Sequence, residues 1–276
     1  MEVLSTAVLL THKLFNDWVA NTLRELGAEA VEAAGTWDAV REAHSDLFIK
    51  AVKRREEEVL AAAAVAEAAL GSDRAIFYIG GSMGAGLNAA RGGLFNAAAF
   101  IAQRTGSAVL SIDRHFPWGT WEIHLERRFP LVAVYSGADG PSYRYLKRRG
   151  HRVLAFPIPP GAGDKSFARV VKYVLGILGE PLVLHLGFDI HMSDPTGHLF
   201  VSDYFFYSLG KMLASIRRFY ISIECPSSPR VFKSALGSLL GGLRGGEPPV
   251  SERYEEGEEV EREVGRLIRL AKKERF

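Results

Sequence analysis

The chain has 276 residues, 47% hydrophobic and 24% charged, with a net charge of +2. That is ordinary globular composition, sufficient for one large α/β domain, and so small a charge with no clustered basic face argues against a nucleic-acid binder. The single cysteine, Cys225, excludes an internal disulfide and fits a reducing compartment; no run approaches the ~20 apolar residues of a membrane span, so a cytoplasmic protein with no membrane or nucleic-acid partner is expected.

Short apolar runs alternate with helix-period segments along the chain. Val3–Leu10 reads as a first buried strand, and its brief apolar run without a basic leader does not read as a signal peptide. Asn16–Leu26 is an expected helix, followed by helical spacing over Trp37–Arg55 and by the alanine-rich helix Glu56–Leu70. Ala75–Ile79 is an expected strand that runs into the glycine-rich turn GGSMGAG. Next come a helix over Phe95–Arg104 and strands over Ala108–Ile112, Leu131–Tyr135 and Arg152–Phe156. Helix Ser166–Gly176, strand Leu182–Leu186, helix Ser202–Ser215, strand Tyr220–Ile223 and helix Val231–Leu243 complete the body.

Strands separated by helices imply right-handed crossovers, hence a three-layer α/β/α domain around a mostly parallel sheet. In such a sheet the ligand site lies off the strand C-termini, which singles out the loops after Ile79, Ile112 and Leu186. We assign residues 1–246 to this domain and 247–276 to a charged helical tail. The tail is acidic early and basic late, as the helix dipole favours, with an apolar stripe at Val260, Val264, Leu267, Ile268 and Leu270. The expectation is a surface helix docked on the body, with a protein partner bound through that helix as the alternative.

Two segments carry chemistry. SIDRHFPWGT puts Asp113 and His115 two residues apart at a strand end, and HLGFDIHMSDPTG puts Asp189 beyond another. Two carboxylates and an imidazole can form a three-ligand zinc site with an open position, the pattern of catalytic rather than structural zinc. Oxygen ligands also admit iron, manganese or cobalt. An aspartate at a strand end is also a common helix cap, so the spacing alone leaves both readings open.

GFDIHMSDPTGHL closely resembles the histone deacetylase superfamily signature Gly-Phe-Asp-x-His-x-x-Asp-Pro-x-Gly. SIDRHFPWGTWEI, FPIPPGAGD at 156–164, GGLFNAAAFIA at 92–102 and WDAVREAHSDLFIKAV at 37–52 resemble further motifs of that family, in family order, over roughly residues 3–246. The resemblance implies the arginase/deacetylase fold, with a sheet of about eight strands, and zinc held by Asp113, His115 and Asp189. It also implies hydrolysis of acylated amines such as acetyl-lysine or polyamines, in which metal and a general base activate water and a tyrosine polarises the carbonyl.

The departures from the family agree with one another. Met83, Gly84, Ala85 and Gly86 stand where the family has Pro-Gly-His-His, so both proton-handling histidines are missing. Ser111 and Trp118 match the acids that orient them, Phe116 matches a further histidine, and Cys225, Pro226 and Ser227 cross the segment of the polarising tyrosine. Glu224 and His191 are the candidates for replacement acid–base groups and Ser227 a weaker one; Cys225 is a weak candidate for a thiol nucleophile, with a buried structural role the ordinary expectation. Glu122, His124 and His198 read as structural. The glycine-rich turn lacks dinucleotide and P-loop spacing and reads as a widened pocket floor. Three functions follow: a metal-binding relative that is non-catalytic or strongly impaired, a divergent zinc-dependent amide hydrolase, and a metal-free scaffold.

Overall fold

A computed structural model describes residues 7–142, 146, 153–195, 197–250 and 254–273. Residues 3–6 and Arg152 of two expected strands and the basic run Lys147-Arg148-Arg149 lie outside the described residues.

Eight strands form one sheet: β1 (Val8–His12), β2 (Glu29–Val31), β3 (Arg74–Tyr78), β4 (Ala108–Ile112), β5 (Leu131–Ser136), β6 (Val153–Ile158), β7 (Leu182–Gly187) and β8 (Phe219–Glu224). Their order is β2-β1-β3-β8-β7-β4-β5-β6, and every pairing is parallel. The inner strands are buried on both faces, which explains why they read as continuous apolar runs rather than alternating ones. The last strand, β8, inserts between β3 and β7 and so brings the ends of β3, β8, β7 and β4 side by side.

The helices are α1 (Trp18–Glu25), α2 (Trp37–Ala43), α3 (Asp46–Val52), α4 (Glu56–Leu70), α5 (Ala97–Thr105), α6 (Trp118–Arg127), α7 (Asp164–Leu175), α8 (Asp203–Ala214), α9 (Pro229–Leu243) and α10 (Glu258–Lys272). Side-chain caps mark several starts: Asp17, Thr36, Ser45, Asn96, Ser202 and Ser228 each accept a backbone N–H of the first turn. All the alanines of α4 except Ala68 are buried, so this helix meets its neighbours nearly all round.

Three expectations change. Trp37–Arg55 is two helices, because His44 is extended and turns inward while Ser45 caps a new start. The three-residue edge strand β2 has no apolar pattern to betray it. Helix α6 begins straight after Pro117, in a segment to which the sequence assigned no element.

The tail packs onto the body as α10. Val264, Leu267, Ile268 and Ala271 are buried, and the helix lies against α7 and β6. Glu256 accepts from the Ser166 amide at 2.9 Å, and Tyr254 stacks on Phe200 with centroids 4.3 Å apart. Val264, Leu267 and Ile268 of the apolar stripe are thus covered by the chain itself, while Val260 and Leu270 are half-buried.

Candidate metal centre

The site forms at the C-terminal ends of adjacent strands. Asp113 follows β4, and its amide continues the ladder by donating to the Val134 carbonyl at 3.2 Å. Asp189 follows β7, and Cys225 follows β8. The next turn carries His115 back over Asp113: the His115 amide donates to Asp113 Oδ1 at 2.7 Å, and the Arg114 amide donates to Asp189 Oδ1 at 3.1 Å. His115 Nδ1 lies 3.1 Å from Asp113 Oδ1 and 2.8 Å from Asp189 Oδ2. One donor atom from each of Asp113, His115, Asp189 and Cys225 falls within 4.8 Å of the others.

Gly187 permits the convergence. A Cβ there would sit 2.1 Å from Asp113 Oδ2 and 2.9 Å from Asp189 Oδ1, so any larger residue would displace a carboxylate.

The electrostatics of the cluster follow from its burial and from its two neighbouring carboxylates. Burial, then the neighbouring Asp189, holds the Asp113 carboxyl above the usual carboxylate range. Hydrogen bonding to Asp113 and then to Asp189 pushes His115 up to about 10. Among the described residues no regular hydrogen bond reaches the buried Asp113 Oδ2 and Asp189 Oδ2; the latter has only its 2.8 Å pairing with His115 Nδ1. Unpartnered carboxylate oxygens converging with an imidazole are what a divalent ion would satisfy, so the donor set fits a metal. Asp113, His115 and Asp189, brought together as the sequence suggests, would hold it.

The floor beside this cluster is the turn 80–86, and it is filled rather than widened. Glu224 Oε2 accepts from the amides of Ser82 and Met83 at 3.0 and 3.1 Å. Its Oε1 accepts from Ser222 Oγ at 2.7 Å and from His185 Nδ1 at 3.0 Å. The network continues as Thr120 Oγ1 donates to His185 Nε2 at 2.9 Å, and Asn96 Nδ2 donates to Thr120 at 3.0 Å and to the Ala85 carbonyl at 2.8 Å. Met83 packs on Ser111, whose hydroxyl lies 3.5 Å from the sulfur. A Cβ on Gly119 of α6 would fall 2.5 Å from the Gly84 carbonyl, so helix and turn touch backbone to backbone.

The candidate acid–base groups are committed elsewhere. Glu224 has both oxygens engaged and is buried, so it acts as a clasp on the glycine-rich turn. His191 Nδ1 accepts from the Ser193 amide at 3.1 Å, and its Nε2 lies 3.4 Å from Asp203. Ser227 donates to Asp194. Glu122 pairs with Arg91 at 3.1 Å, His124 bonds the Phe129 carbonyl, and His198 contacts Ser136.

Two participants escape sequence reasoning. Cys225 joins the donor cluster, and His185 joins Glu224. The signal for His185 was a polar residue at a buried strand position; its pairing with Glu224 on the adjacent strand had none.

No family model matches the sequence, and no curated protein sequence matches it. Among solved structures, the HD domain of HDA15 is similar with a TM-score of 0.75 at 16% identity, over 97% of this chain and 96% of that one. An acetylpolyamine aminohydrolase from Burkholderia pseudomallei is similar with a TM-score of 0.71 at 18% identity, over 86% of this chain and 98% of that one. The all-parallel eight-stranded sheet between helices is therefore the deacetylase-type α/β fold.

Proposed function

We propose that this chain is a divalent-metal-binding protein on the deacetylase fold in which amide hydrolysis is absent or strongly impaired. The observation that carries the reading is the turn 80–86. Where the resemblance would put proton-handling histidines, Ala85 and Gly86 are buried, and a Cβ at Gly86 would meet Glu122 at 2.3 Å. Glu224 is bonded to the turn and to His185, and the imidazole that meets the turn itself, His44, is committed to the Gly86 carbonyl at 2.7 Å. Loss of a general base typically costs ~10²–10⁴-fold in rate.

Zinc bound by Asp113, His115 and Asp189 would supply Lewis acidity and lower the pKa of a bound water toward ~7. Gly187 gives the carboxylates room to converge, and the Arg114 and His115 amides orient them.

The alternative, a divergent hydrolase of small acylated amines, draws support from His115. Its side chain is 52% exposed, so the cluster is reachable from solvent. A metal-free scaffold draws support from the same residue, whose protonated ring would balance the two carboxylates.

The test is the metal content of purified protein beside an Asp113→Ala/Asp189→Ala variant, followed by acetyl-lysine and acetyl-polyamine substrates. Near-stoichiometric metal in the parent alone, without turnover, is expected. Metal-dependent turnover abolished by Asp189→Ala would establish the hydrolase instead, and no metal in either protein would leave the scaffold.

A further inference from the structure

We infer that Cys225 is a fourth ligand, which closes the metal centre with a thiolate and makes it a structural rather than an open catalytic site. The inference rests on the metal-centre reading above.

Cys225 emerges directly from β8 with φ of +38°, a conformation uncommon for a residue with a side chain. It is held there from both sides. Its carbonyl accepts from the Phe188 amide at 3.3 Å, which ties it to the residue just before Asp189 on the neighbouring strand end; Glu224, immediately before it, is fixed by four hydrogen bonds. The result is an Sγ 3.8 Å from His115 Nδ1, on the same ring nitrogen that faces both carboxylates.

That spacing suits coordination. A tetrahedral ion with ~2.0–2.1 Å to nitrogen and ~2.3 Å to sulfur separates those atoms by ~3.6 Å. An independent observation points to a ligand at the same place: Asp113 is fully buried, and its Oδ2 has no hydrogen-bond partner among the described residues. Four donors from four side chains complete a tetrahedron, whereas catalytic zinc keeps three protein ligands and an open position. Metal uptake would release the thiol proton to solvent and leave the thiolate on the ion. A soft sulfur donor also shifts preference from magnesium or manganese toward zinc and cobalt.

The experiment loads the full chain with cobalt(II) chloride or zinc chloride and measures metal per chain, electronic absorption and thiol reactivity toward a disulfide reagent. Cys225→Gly, which suits the positive φ, and Cys225→Ser are the comparison variants, with circular dichroism as the folding control. The parent should bind one cobalt with a near-ultraviolet thiolate-to-cobalt charge-transfer band and the intense visible bands of four-coordinate cobalt. Both variants should bind cobalt without the charge-transfer band and hold zinc on the order of 10–100-fold more weakly, at least the effect of losing an outer partner of a ligand. Zinc should protect the parent's thiol. Cobalt bound by the parent without a charge-transfer band, or a thiol equally reactive with and without zinc, overturns the fourth-ligand assignment while the metal centre stands. A parent that takes up neither metal overturns both. If a variant misfolds, the parent's spectrum and thiol protection still decide.

Discussion

His185 Nδ1 lies 3.0 Å from Glu224 Oε1, with both residues sealed inside the sheet. They sit on adjacent strands, β7 and β8, where His185 is in register with Ser222 and Gly187 with Glu224. The pair and its amide partners tie three chain segments together beneath the metal centre. Removing the carboxylate leaves an imidazole, a hydroxyl and two backbone amides without an acceptor. Glu224→Ala should therefore cost about 3–5 kcal/mol, the usual penalty for breaking a buried pair from one side. Glu224→Gln, which keeps one acceptor oxygen, should cost less. Urea unfolding reads both; a neutral Glu224→Ala would show that the clasp carries no stability.

Asp113 predicts a change of sign with metal. Its carboxyl titrates high because of burial and Asp189. A folded pKa raised above the unfolded one means that stability is present at low pH and lost as pH rises through the folded value. Metal-free protein at pH 8 thus carries the cost of an ionised, buried Asp113. Asp113→Asn keeps an acceptor for the His115 amide and removes that charge, so in chelator it should melt above the parent. In saturating zinc the order should reverse, since a ligand at 100 times its Kd stabilises by ~2.7 kcal/mol. Thermal melts with chelator and with zinc check both halves. A variant that melts lower in chelator would refute the first.

His44 makes the pH prediction for the body of the fold. Its Nδ1 donates to the Gly86 carbonyl at 2.7 Å, its Nε2 accepts from the Asn96 amide at 3.0 Å, and its ring stacks on Phe48. Burial depresses its pKa to about 4 against a Gly86 bond that favours the charged form. With the folded pKa below the unfolded value of 6.5, stability is intact above pH 6.5 and falls as pH drops toward 4. The gap between the two values corresponds to about 3 kcal/mol of stability lost across that window. His44→Asn abolishes this titration. Denaturant unfolding from pH 7 to 4 should show a shallower acid slope in the variant, and parallel slopes would mean that His44 titrates normally.

Much of the architecture was legible. Helix α4 and strand β4 occupy the ranges that their composition indicates, Glu56–Leu70 and Ala108–Ile112. Most other elements shift by only a few residues, because caps and glycines punctuate the chain locally. The exceptions are elements whose cause is not local. The break at His44 exists because its imidazole bonds Gly86, 42 positions away, and β2 exists because β1 offers it an edge.

The sequence by itself determined the parallel three-layer arrangement, through the alternation of apolar runs with helical spacing, and it singled out Asp113, His115 and Asp189 as candidates that the fold brings together, because their donor types and strand-end positions are local properties. Only the tertiary structure decided what Glu224 and Cys225 face. Their surroundings come from inserting β8 between β3 and β7, which sets Glu224 against amides 142 and 141 positions earlier and Cys225 against a histidine 110 positions away. A carboxylate becomes a base or a clasp, and a thiol a nucleophile or a ligand, according to what faces it, and strand order across the sheet is not written in the spacing of residues along the chain.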